Sequence, residues 1–208
     1  MGIIGVVAAL TLPNLNNSTG DKEKVVKVKK IYNNLQDAMV RAQAVYGPTE
    51  TWFFNDTTAA AQRTRFAQRL TEFMKISKAT NTTTANVFIL ADGTAITINN
   101  PSSSGYVNDM DFVVADIDGS QKGKNKRGYD IFHFIYSNVT NNIEPAGSVL
   151  SSTSPLVCCS KDEDNRYCSK WVIDYDNMDY LKVGFDKKCP DGKTVLNDYA
   201  NPPVISCK

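Results

Sequence analysis

The sequence predicts an α+β fold, with a long N-terminal helix packed on an antiparallel β-sheet and a disulfide-braced C-terminal region. Apolar residues recur with a helical period up to about residue 76 and with a two-residue period after about residue 85. All five cysteines fall in the last 51 of 208 positions. Helices followed by a run of strands imply a layered arrangement, helix on sheet.

The elements follow in order. Ile3 to Leu12 is an uncharged apolar run of ten residues, half of the roughly twenty that span a bilayer. It ends at Pro13, and the polar stretch behind it is expected to be a linker, so residues 1–20 are expected to be a truncated hydrophobic anchor helix and linker. Ser18 and Asp21 have capping-box spacing for a following helix. That helix carries the stripe Val25, Val28, Tyr32, Leu35, Met39, Ala42 and Tyr46, with Lys22, Lys24, Lys27, Lys29 and Lys30 on the solvent side, and Gly47-Pro48 ends it. A second helix is expected over 58–76, capped by Asn55-Asp56 and burying Phe66, Leu70, Phe73 and Met74. Strands at 87–90 and 95–98 flank Asp92-Gly93, a hairpin signal. A further pair, 112–115 and 131–136, spans a longer polar loop. Residues 21–208 thus form one globular head, helical over about 21–76, with the sheet and the cysteine-rich part over about 85–208.

Composition narrows the function. Lys and Arg total 23 against 22 Asp and Glu, a net charge of +1, which disfavours nucleic acid as the main partner. His133 is the single histidine, so sites with two or more histidine ligands are excluded. It sits in strand alternation between Phe132 and Phe134, the setting of a half-buried structural histidine. There is no Gly-x-Ser-x-Gly elbow, phosphate loop or His-Glu-x-x-His motif, and no enzymatic activity is expected.

Cys158, Cys159, Cys168, Cys189 and Cys207 show no zinc-ribbon or redox spacing. Their clustering in an Asn-, Asp- and Gly-punctuated region points to disulfides and an oxidising compartment. The expected pairing joins Cys158 or Cys159 to Cys168, and Cys189 to Cys207.

Two polar segments are candidate sites. Asp116, Asp118, Asn125 and Asp130 supply oxygens within fifteen residues, and Gly119, Gly123 and Gly128 permit tight turns, so the loop could wrap a calcium ion. Lys122, Lys124, Lys126 and Arg127 oppose a cation there, and the plainer reading is a hairpin loop whose carboxylates cap their own backbone. The segment holding Trp171, Tyr175 and Tyr180 is either a ligand surface or, as the preferred reading, a helper to the core with its Asp residues solvated.

The N-terminal run, followed by a helix with a basic start, resembles type IV pilins and type II secretion pseudopilins. Gly5, Ala8, Ala9 and Pro13 fall where that family carries a glycine, small residues and a helix-kinking proline. The stretch ADIDGSQKGKNKRGYDIFHF (115–134) resembles a recurrent loop of pilin-like proteins, with Asp118 where Asn is common and Lys124 where Pro is common. CSKWVIDYDNMDYL (168–181) resembles a C-terminal segment of theirs. The resemblance implies a pilin-like fold and a minor pilin or pseudopilin of a type IV pilus or type II secretion filament. Ile3, Ile4, Gly5, Val6, Val7, Ala8, Ala9, Leu10 and Pro13 would form the membrane anchor and filament core. The family's basic leader, cleavage site, methylated aromatic residue and glutamate would lie upstream of Ile3. Implied partners are sister subunits, an inner-membrane assembly platform and a prepilin peptidase. The implied location is the bacterial cell envelope, anchored in the inner membrane before assembly, with the head periplasmic or extracellular. Some pseudopilins hold calcium in a comparable loop. The alternatives are a secreted adhesin or carbohydrate-binding module and a secreted thiol hydrolase using His133.

Overall fold

A computed structural model describes residues 3–52, 56, 58–81, 85–99, 113–119, 122–137, 140–146 and 168–181, with side chains from Gly20 onward. Helix α1 runs from Ile3 to Tyr46 without interruption. The expected linker after Pro13 and the helix start at Ser18 are therefore corrected: backbone from 14 to 20 is helical. Pro13 removes one backbone hydrogen bond, whereas each further helical residue on either side adds one, so propagation from the packed second half carries the helix through it. No helix among the described residues is long and apolar enough to cross a membrane.

From Val25 onward α1 is the spine of the head. Val25, Val28, Ile31, Leu35, Ala38, Met39 and Ala42 are buried on one stripe, with Tyr32 and Tyr46 half-buried at its margin. Gly47, at φ 81, donates its N–H to the Gln43 carbonyl and closes the helix in the left-handed conformation that glycine adopts without strain. After a 3-10 turn at Thr49–Thr51, α2 spans Ala59–Thr71. Its cap is Thr58, whose hydroxyl accepts from the Ala61 N–H, rather than the expected Asn55-Asp56. It stops five residues short of Ile76, because Ile76 already belongs to the sheet.

Six strands follow: β1 (Ile76–Asn81), β2 (Ala85–Leu90), β3 (Ala95–Asn99), β4 (Val113–Asp116), β5 (Ile131–Ser137) and β6 (Asn142–Pro145). They form one antiparallel sheet in sequence order, so each strand pairs with its neighbours in the chain. At the β2–β3 hairpin, Gly93 has φ 88, and the Asp92 carboxylate accepts from the Thr94 N–H. β1 and β6 have no counterpart among the strands that the sequence predicts, and Phe112, first residue of the expected 112–115 strand, lies outside the described residues.

Helices α1 and α2 pack on this sheet. Tyr32 stacks on Phe134 at a ring separation of 6.0 Å, and Phe66 meets Tyr136 edge-on at 6.0 Å. Trp52 lies between Tyr46 and Phe66 and donates its indole N–H to the Gly47 carbonyl. A third helix, α3 (Cys168–Tyr175), contacts α1, β5 and β6, and a 3-10 turn at Asp179–Leu181 follows. Where β6 ends, α3 takes over as the neighbour of β5: the His133 N–H donates to Ser169 Oγ at 2.9 Å, and Lys170 N–H donates to the Ala146 carbonyl.

Candidate functional site

The β4–β5 loop, Ile117 to Asp130, lies where α1 enters the head. Two contacts with α1, from Lys24 and Lys27, fix it there, and one within the loop, from Lys124, supports the first. Lys24 Nζ sits 3.0 Å above the centroid of the Tyr129 ring, Lys124 Nζ lies 4.2 Å from the same centroid, and Lys27 Nζ reaches the Ile117 carbonyl at 3.5 Å. The two ammonium groups, Lys24 foremost, hold the Tyr129 hydroxyl below its ordinary pKa by favouring the phenolate. On the far side, Tyr180 donates its hydroxyl to the Gly128 carbonyl at 2.6 Å.

Within the loop the four candidate oxygen donors separate into three roles. Asp130 is wholly buried, and its carboxylate accepts from the N–H groups of Lys124 (2.6 Å), Asn125 (2.9 Å) and Lys126. This is the self-capping arrangement: one anion satisfies three backbone donors that the turn would otherwise leave unpaired. Asn125 is exposed at φ 50, on the outer turn. Asp116 and Asp118 face each other instead. Burial first, then the hydrogen bond and charge of Asp118, and last the charge of Asp130, push the Asp116 carboxyl up to about 6. Asp116 Oδ1 and Asp118 Oδ1 are buried and meet no hydrogen-bond donor among the described residues.

Gly123 makes this packing possible. At φ 67 its Cα stands so close to the carboxylates that a Cβ would fall 1.9 Å from Asp118 Oδ2 and 2.8 Å from Asp130 Oδ2. Gly119 does the same against the neighbouring hairpin, where a Cβ would lie 2.7 Å from the Gly93 carbonyl oxygen. Two carboxylates in contact, each with an unpaired buried oxygen, need a proton or a cation between them, because two like charges at such a distance repel strongly. Hard cations such as calcium take oxygen donors of this kind together with backbone carbonyls. Among the described residues no group of three or more His, Cys, Asp or Glu side chains is arranged to hold a metal. The protein's own contribution would thus be the Asp116–Asp118 pair, with Asp130 organising the turn around it.

The other candidate residues lie elsewhere. Trp171 is 5 % exposed and Tyr180 0 %, so their rings are core rather than a ligand face. For Trp171 the reason is the helical phase of α3, which turns Cys168, Ser169, Trp171 and Val172 inward, while Tyr175 packs on Trp171 at 4.8 Å; Tyr180 is buried from the 3-10 turn that follows. His133 is 3 % exposed, more deeply buried than a half-buried strand histidine, and its ring is not open to a substrate. Cys168 is disulfide-bonded. Cys158, Cys159, Cys189 and Cys207 lie outside the described residues, as do the side chains of Ile3, Ile4, Gly5, Val6, Val7, Ala8, Ala9, Leu10 and Pro13. The sequence gives no signal for the pairing of Tyr129 with Lys24, which lies 105 positions away; only the folded register brings them together.

No curated protein and no solved structure matches the chain. Residues 14–183, from within α1 through the sheet and α3, match the profile of a family of unknown function (DUF6613), and the chain belongs to that family.

Proposed function

We propose that the chain is a structural subunit of an envelope filament, a minor pilin or pseudopilin, rather than an enzyme. The observation that supports this reading is α1 itself. One continuous helix joins an apolar run to the spine of the head, so a single rigid element links an anchoring segment to a globular body. The apolar run holds the subunit in the inner membrane before assembly and packs against the same segment of sister subunits in the filament. Ten residues cover about 15 Å, half of the hydrocarbon core. The head is then displayed in the periplasm or outside the cell, where disulfides such as that of Cys168 persist and brace the C-terminal region. Assembly would require a prepilin peptidase and a membrane platform.

Within this reading the β4–β5 loop takes calcium through Asp116 and Asp118. The bound ion would neutralise a carboxylate pair whose repulsion otherwise loosens the loop at neutral pH.

Photo-crosslinking tests the filament role. A photoreactive residue placed at Ala9, in cells making the full machinery, should yield a ladder of covalent multimers in the sheared surface fraction. Crosslinks to lipid alone, or a soluble monomer, would sink the filament role and leave a secreted binding module.

A further inference from the structure

The membrane-anchored reading leaves one surface unassigned, and it lies at the end of the head where α1 enters. Lys22 and Lys27 on the helix and Lys122, Lys124, Lys126 and Arg127 on the β4–β5 loop are all exposed, and Tyr129, held by Lys24 and Lys124, joins the two groups into one face. Glu23 is the exposed acid among them; Asp21, Asp116 and Asp118 are half-buried, and Asp130 is buried with its oxygens on backbone N–H groups. The chain as a whole carries a net charge of only +1, so this excess is local.

We infer that this basic collar binds the anionic headgroups of a phospholipid surface. The geometry of α1 favours that occupant over others. Lys22 lies ten residues beyond Leu12, the end of the apolar run, which is about 15 Å of helix. An interfacial layer of roughly 6 Å plus one Debye length of about 8 Å spans the same distance. A helix that buries its apolar run in hydrocarbon therefore brings the collar within the negative surface potential, and a tilt toward the loop side brings the loop closer. Lysines near such a surface each contribute about 1 kcal/mol, close to fivefold in partitioning. The collar thus sets the standing height and orientation of the head before assembly. This inference depends on the proposed anchoring, and its test separates the two.

The full chain is partitioned between buffer and vesicles of phosphatidylcholine, with or without phosphatidylglycerol, at low and high salt. Phosphatidylglycerol should raise partitioning by about tenfold or more at low salt, and high salt should erase the gain. The triple variant Lys122→Ala, Lys124→Ala, Lys126→Ala, confirmed as folded by its circular dichroism and melting, should lose most of that gain and bind phosphatidylcholine as before. Equal partitioning into both vesicles, or a triple variant that keeps the gain, overturns the collar while anchoring stands. Failure to bind either vesicle overturns both. A salt-sensitive shift of duplex DNA through the same lysines, with no gain from phosphatidylglycerol, assigns the surface to nucleic acid and also overturns the inference.

Discussion

The Tyr180 hydroxyl donates to the Gly128 carbonyl 2.6 Å away, a fully buried bond that ties the last described turn to the β4–β5 loop, 52 positions earlier in the chain. Burial raises the Tyr180 pKa well above its ordinary value, so the group is a neutral donor throughout the physiological range. Tyr180→Phe leaves the Gly128 carbonyl buried without this donor and should cost about 1–3 kcal/mol in urea unfolding, with the fold intact. A loss below the error of that measurement would mean the bond does not hold the loop.

Gly123→Ala is the sharpest test of the carboxylate cradle. A Cβ there meets Asp118 Oδ2 at 1.9 Å, and the residue sits at φ 67, so both sterics and backbone oppose it. The expected cost is about 2 kcal/mol or more, well above the few tenths that a Gly→Ala change brings at an open surface turn. An unchanged melting temperature would show that the loop relaxes away from Gly123.

Asp116 makes the stability of the fold depend on pH. Its carboxyl is pushed up to about 6 in the fold, above its unfolded value. The associated stability is therefore complete below about pH 4 and is lost as pH rises through about 6. In calcium-free buffer, Asp116→Asn should raise the melting temperature at about pH 8 by roughly 2 °C or more and leave it unchanged near pH 4. In calcium the sign should reverse, because the variant loses a ligand. Thermal melts at the two pH values, with calcium or with chelator, check both statements; an identical gain in calcium and chelator would exclude Asp116 as a ligand.

The spine of the head predicts a contrast along α1. Leu35 is wholly buried, whereas Val26 is 65 % exposed on the opposite side. Leu35→Ala should cost about 2–5 kcal/mol, while Val26→Ser should change stability by less than about 1 kcal/mol. Chemical denaturation of the two variants reads both; similar losses would contradict the packing of α1 on the sheet.

Much of this architecture was legible in the residues. The heptad-like stripe from Val25 to Ala42 named the buried face of α1, and Asp92-Gly93 named the β2–β3 hairpin. The rest depended on context that no local pattern carries. Pro13 and the polar residues behind it suggested a break that the helix does not make. β1, with Ser77, Lys78, Ala79 and Thr80 all exposed, lacks the alternation of a half-buried strand because it lies on the edge of the sheet. β6 is only four residues and ends in Pro145. α3 is rich in aromatic and β-branched residues, which favour strands, and packing against α1 and β5 overrides that preference. In the candidate site, Asp116 and Asp118 announced themselves through their spacing, whereas Gly123 matters because the folded loop packs Asp118 and Asp130 against it.

The most direct test of the central claim is the mature N-terminus. The chain would be produced from its own gene alongside a prepilin peptidase, and its first residue read by mass spectrometry. The filament reading predicts removal of a basic leader and an N-methylated first residue ahead of the apolar run. An unmethylated start, or cleavage after a small residue by ordinary signal peptidase, would contradict it and leave a secreted head with no place in a filament.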